Sequence, residues 1–165
     1  MKKALVGIGV LCLISAAHGQ DFGSPVTKRE FSIVLADIEG AMNRGLKLGL
    51  PERKSVTDKS PVTRAEVIKE VDRLFEFCRP KFKSTPRPTT YDEALIRKHN
   101  SGEQAETLIK LAKWGAIAPA GPIVVGDPGK MSLDEVGDLL GLVINRIARL
   151  THETSIKWSP HLMKG

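Results

Sequence analysis

Cysteine is nearly absent from this 165-residue chain, which has only Cys12 and Cys78. Cys12 lies in an apolar N-terminal run that reads as a leader, so Cys78 is left as the single thiol and no intramolecular disulfide is expected. Its place on the apolar face of a helix reads as a buried structural cysteine and not as a nucleophile. Histidine is also sparse. His99, His152 and His161 have no helical metal-ligand spacing among themselves or with a cysteine, which argues against a metal site. There is no Gly-x-Ser-x-Gly elbow, and the glycines of 121–129 lack the Lys-Ser/Thr ending of a phosphate-binding loop, so they read as turn geometry. Asp134 and Asp138 form an i, i+4 acidic pair on an exposed face, a solvated arrangement more than a catalytic one. The expectation is a protein that is not an enzyme and needs no cofactor.

Long apolar runs are missing too, with one exception. Lys2 and Lys3 precede the almost wholly apolar stretch Ala4 to Ile14, and Ala17-His18-Gly19 places small residues where a signal peptidase reads. That run is too short to span a bilayer comfortably, and Leu11 before Cys12 does not suit a lipoprotein anchor. Residues 1–19 therefore read as a secretory signal peptide cleaved near Gly19, with the mature chain secreted or held at the cell envelope. An uncleaved anchor is the alternative. Without Lys2 and Lys3 the formal charge falls from +6 to about +4, with acids interleaved. This excludes a nucleic-acid footprint but suits an anionic wall polymer or membrane surface through screened Coulomb attraction.

What remains, about 145 residues, is enough for one domain with a modest core. Phe31, Val34, Leu35, Ile38 and Met42 follow at helical steps, and that helix ends near Gly45 or Gly49 before Leu50-Pro51. A second helix opens at Thr63, whose hydroxyl and the Glu66 carboxylate form a capping box worth about 1 kcal/mol. It carries Val67, Ile68, Val71, Leu74, Phe75 and Cys78 on one side, and Pro80 ends it. Residues 80–102 are rich in Lys, Pro, Thr and Arg and read as an extended linker along the surface, with room for a turn or two at Asp92 to Lys98.

Ala105, Leu108, Ile109 and Ala112 mark a third helix running into Trp114-Gly115. In the Gly- and Pro-rich loop that follows, Pro122 to Val125 reads as a brief extended piece. The fourth helix opens with a second capping box, Ser132 with Glu135, and has a long stripe from Leu133 through Leu150. Gly137 and Gly141 cost roughly 1 kcal/mol each there relative to alanine, so another backbone should approach them closely. Trp114 and Trp158 read as core or tail-pinning residues, and the apolar tail 152–165 as folding back over the bundle, with a docking peptide as the alternative.

Thr63 and Ser132 lie 69 positions apart, and Gly45 and Gly115 lie 70 apart. This agreement points to a duplicated unit of helix, Gly-containing turn, loop and capped helix. The expected fold class is all-α, two helix-loop-helix units packed into a small bundle. The divisions are a leader at 1–19, an N-terminal extension at 20–29, units at 30–79 and 103–151 joined by the linker 80–102, and the tail 152–165.

Thr63-Arg64-Ala65-Glu66, Trp114-Gly115-Ala116-Ile117 and Gly126-Asp127-Pro128-Gly129 together resemble the S-layer homology domain, in its capped-helix motif, its helix end and its loop. The resemblance implies a non-catalytic cell-envelope module of a kind whose units usually come in threes about a pseudo-threefold axis and hold exported proteins to wall polysaccharide. It implies that Thr63 and Arg64 face a ligand, with Trp114 as a third ligand-binding residue if it lies beside them. The chain departs from the pattern in having two recognisable units and in placing Leu133 where the motif arginine belongs. The expected partners are an anionic cell-wall glycan or another envelope protein, with no nucleic acid, and self-assembly to replace a missing third unit stays open. The alternative function is a small exported helical protein that binds a partner or plays a structural part and has lost glycan binding. On physical grounds, a helix N-terminus with Arg64 in its first turn offers donors suited to a carboxylate or phosphate. Arg64 as a solvated residue or paired with a local carboxylate is the competing reading.

Overall fold

The computed structural model describes residues 23–86, 89–154 and 158. The leader at 1–19, and the tail apart from 152–154 and Trp158, lie outside the described residues. The fold is all-α. Its elements are α1 (Lys28–Leu46), α2 (Arg64–Cys78) with a 3-10 turn at Arg79–Lys81, α3 (Glu93–His99), α4 (Gly102–Lys113), the single turn α5 (Pro122–Val125) and α6 (Leu133–Thr151). Among the described residues there is no sheet, only the isolated antiparallel bridges Pro25 to Ser132 and Thr27 to Pro61.

Both expected capping boxes form. Thr63 Oγ1 accepts from the Glu66 N–H at 3.3 Å while Glu66 Oε2 accepts from the Thr63 N–H at 2.9 Å. Ser132 and Glu135 repeat the exchange at 3.3 and 2.8 Å. A third box was not expected. Thr27 and Glu30 cap α1 in the same way, at 3.2 and 2.9 Å, inside the stretch read from sequence as an extension. Among the described residues three helices therefore open with a capping box, not two.

The residues just before these caps close a ring. Val26 N–H donates to Met131 C=O at 2.9 Å, Met131 N–H to Val62 C=O at 3.2 Å, and Val62 N–H to Val26 C=O at 2.8 Å. A second ring runs the opposite way through the first helical residues: Leu133 N–H to Ser24 C=O at 3.0 Å, Lys28 N–H to Ser60 C=O at 2.9 Å, and Arg64 N–H to Pro128 C=O at 3.3 Å. N–H groups that a helix start leaves without intrahelical partners are thus taken up by the neighbouring unit. Val26, Val62 and Met131, each 1% exposed, plug the centre. The arrangement is a pseudo-threefold knot of helix starts within one chain.

From the knot the apolar stripes run into a common core. Phe31, Leu35, Ile38 and Met42 of α1, the expected face of α2, and Leu133, Val136, Leu140, Val143, Ile144 and Ile147 of α6 are buried. Gly137 and Gly141 are buried as well. α2 packs against both α4 and α6, and Trp158 is fully buried; at Gly45 of α1 an added Cβ would lie 2.7 Å from its indole nitrogen. The helix end at Trp114-Gly115 also forms, with Gly115 in the left-handed region at φ 64°.

One local expectation is corrected, and another, a turn or two at Asp92 to Lys98, is met by α3. Pro122 to Val125 is a helical turn and not an extended piece, because Pro122 supplies the fixed φ of a helix start and the Val124 N–H bonds back to Gly121 C=O at 2.8 Å. The linker is also more structured than its composition suggests. Asp92 caps α3, Ile96 is buried, Lys83 N–H donates to Leu150 C=O at 2.7 Å, and Thr89 Oγ1 donates to Ala112 C=O at 2.6 Å.

Candidate functional site

The three residues expected to meet a ligand do not converge. Thr63 spends its hydroxyl in the capping box. Arg64 turns inward and is 6% exposed. Its Nη1 donates to Gly126 C=O at 2.6 Å and to Val124 C=O at 3.2 Å, and its Nη2 to His99 C=O at 3.3 Å. One guanidinium thereby ties α2 to the end of α3 and to the turn at α5. Burial pushes its pKa down against the charge of Asp127. Asn100 joins the same cluster, its Nδ2 donating to Val124 C=O at 2.9 Å.

Trp114 stands at the other end of α2. It packs on Phe75 and Phe82, with ring centroids 5.7 and 5.4 Å away. Phe75 is three turns beyond Arg64, roughly 16 Å at 1.5 Å per residue. The expectation of a shared ligand groove at Thr63, Arg64 and Trp114 is therefore corrected. The knot takes up the Arg64 N–H and the capping box that of Glu66, and the Arg64 guanidinium serves as an internal brace.

An open site lies instead along α1. The segment 51–60 arches over this helix and is pinned at both ends. Asn43 exchanges two hydrogen bonds with the Leu50 backbone at 3.1 and 3.3 Å, and Arg29 N–H donates to Asp58 C=O at 2.9 Å. In between, Arg53 is clamped by carboxylates, to Glu39 Oε1 and to Glu70 Oε2 at 2.6 Å each. Arg73 completes the cluster, bonding Glu70 at 3.0 Å and also Glu39. Burial favours the neutral form of Glu70, but the hydrogen bonds from Arg53 and Arg73 outweigh it and hold its pKa below the usual carboxylate range. Arg53 is likewise pressed down by burial and raised on balance by Glu39 and Glu70.

Between the arch and α1 runs a trough of about 570 Å³. Its floor includes Ile33 and Val56, 53% and 38% exposed, and its rim carries Arg29, Lys54 and Lys59 against the single acid Asp37. Lys54 and Lys59 make no ion pair with a described residue. A second hollow of about 410 Å³ shares Ala36, Asp37 and Arg53 with the first but is lined by Glu39 and Glu52 as well, so the cationic lining belongs to the first hollow. The first hollow suits a ligand with negative charge and some apolar surface. Sequence reasoning passed over it. The signals were Ile33, apolar but off the buried stripe, and Val56 in an otherwise polar loop.

Cys78 is buried, with its Sγ 3.9 Å from Met42 Sδ, and burial together with the charge of Glu39 pushes its thiol up to about 12. No group of three His, Cys, Asp or Glu side chains among the described residues could hold a metal ion. Among the same residues no helix is long and apolar enough to cross a membrane. Compared with protein-family models, with curated proteins and with solved structures, the chain matches none of them.

Proposed function

We propose that this protein is a non-catalytic binding module of the cell envelope, exported by its N-terminal leader, which holds an anionic wall polymer in the trough along α1. The observation that carries this reading is that Lys54 and Lys59, which make no ion pair with a described residue, line the trough together with the exposed Ile33 and Val56. A flexible polyanion would run along the rim while its less polar faces lie on Ile33 and Val56, and the attraction would weaken with salt. The contact residues are then Arg29, Lys54 and Lys59 in place of Thr63, Arg64 and Trp114. The 53% exposure of Ile33 supports a second reading, an envelope protein as occupant of the same trough.

Sedimentation of the purified protein with isolated cell-wall sacculi tests the first reading. The K54Q/K59Q variant should lose about tenfold in retention, because solvent-exposed ion pairs contribute up to about 1 kcal/mol each. Retention equal to the native protein sinks the polymer reading. Retention that falls with Ile33→Ser but not with K54Q/K59Q moves the assignment to a protein partner.

A further inference from the structure

A second surface gathers charge and aromatic rings where α2, α4 and α6 end. Phe75 packs edge to face on Phe82 and Trp114, at 5.1 and 5.7 Å between centroids, and Phe82 lies tilted against Trp114 at 5.4 Å. The segment after α2 is pinned to the end of α6 by the bond from Lys83 N–H to Leu150 C=O. Arg146 reaches across from α6 to the Trp114 carbonyl, and Arg79 lies over the Trp114 ring at 6.0 Å. The end of α2 also exposes Phe77, at 40%.

Cations crowd this pole. Lys81, Lys83 and Arg149 are exposed and make no ion pair with a described residue. Arg79 is partnered by Glu76 at 3.2 Å. Burial pushes the Arg146 pKa down, and the like charge of Arg149 adds to the effect. Helix ends do attract cations, by about 0.3–1 kcal/mol each. Arg73 lies 5.5 Å over one face of the Phe77 ring, and the helix-end effect, confined to the last turn, does not account for Lys81 and Lys83, which flank Phe82 beyond the helix.

We propose that this pole is a docking surface for an anionic lipid bilayer, with Lys81, Lys83 and Arg149 at the headgroups and Phe77 and the edge of Trp114 entering the interfacial layer. Aromatic side chains with one apolar and one polar aspect favour that layer, and lysine stems extend along it with their ammonium groups in water. The pole lies at the far end of α2 from the knot and draws on none of the residues that line the trough. A bilayer on the pole and a polymer in the trough would therefore engage different faces of one molecule.

The test is co-sedimentation of the purified protein with vesicles of phosphatidylglycerol and phosphatidylcholine in equal parts, against phosphatidylcholine alone. Binding should require the anionic lipid and weaken with salt. K81Q/K83Q should lower the partition coefficient about 30-fold, since each cation near an anionic surface contributes about fivefold, and Phe77→Ser should lower it by a smaller factor. K54Q/K59Q, which removes the same charge from the trough, should bind vesicles as the native protein does. Equal binding to both vesicle types, no binding to either, or a loss in K54Q/K59Q matching that in K81Q/K83Q overturns the proposal. Loss of sacculus retention in K81Q/K83Q without vesicle binding by the native protein assigns the pole to a polymer instead. Sacculus retention that depends on Lys54 and Lys59 stands or falls separately from all of these outcomes.

Discussion

Replacing Arg64 with methionine separates its two readings, because the stem still packs while the guanidinium is lost. The side chain is 6% exposed and holds three carbonyls, of Gly126 at 2.6 Å, Val124 at 3.2 Å and His99 at 3.3 Å. A hydrogen bond from a charged donor contributes about 1.5–3 kcal/mol, and a buried acceptor left alone costs about 1–3 kcal/mol. Val124 C=O keeps Asn100 as a donor, so the loss falls mainly on Gly126 and His99. Burying the guanidinium has its own desolvation cost, which the variant recovers in part. The balance is a loss of about 3 kcal/mol.

For a domain of this size 1 kcal/mol corresponds to roughly 4 °C, so Arg64→Met should lower Tm by about 12 °C. Circular dichroism melting checks this, with urea unfolding as a second measure. Arg64→Lys should recover less than a third of the difference, since one ammonium cannot reach all three carbonyls on two separate segments. A melting point for Arg64→Met within about 2 °C of native, together with lost sacculus retention, would refute the bracing role and return Arg64 to the ligand.

The knot predicts that Thr27→Ala, Thr63→Ala and Ser132→Ala each cost about 1 kcal/mol, and that any two together depart from additivity, because the capped segments share the hydrogen-bonded rings; urea denaturation of singles and doubles measures both. Glu66, Glu70 and Glu76 are each raised by burial but lowered on balance, by Lys28 and Thr63, by Arg53 and Arg73, and by Lys110 and Arg79 respectively. Their contribution is complete above the unfolded value of about 4.3 and is lost as pH falls through the depressed folded values, so the urea midpoint should hold from pH 7 to 5 and drop by pH 3. Cys78, buried with its thiol pushed up to about 12, should react with a thiol reagent only as fast as the protein opens and at full rate in denaturant; rapid labelling under native conditions would contradict its placement.

What could be read from the sequence was what lies within a few positions along the chain. A hydroxyl three residues before a glutamate marks a helix start, and Thr63 with Glu66 and Ser132 with Glu135 behave accordingly. The apolar stripes of α2 and α6 were legible for the same reason, since one helical period fixes which side chains share a face. The third start was legible too: Pro25-Val26-Thr27 and Glu30 repeat Pro61-Val62-Thr63 and Glu66 at matching positions. It was missed because the apolar stripe of α1 draws the eye to Phe31, one turn too late. Counting that start also removes the need for a second chain to supply a third capped helix.

The fate of Arg64 was not legible. Whether an arginine at a helix start faces solvent, a ligand or its own fold depends on where residues some 35 and 60 positions away bring their carbonyls, and no local pattern encodes that. Leu133, in the corresponding place on α6, is 1% exposed. Two of the three starts therefore turn their first side chain into the core, one through apolar packing and one through internal hydrogen bonds. Lys28, at the third, pairs outward with Glu66 at 2.7 Å. Under the binding function proposed above, the ligand is met on the outer faces, which is why the lysines of the arch and of the pole, and not Thr63 and Arg64, are the ones whose substitution should change binding while leaving the fold in place.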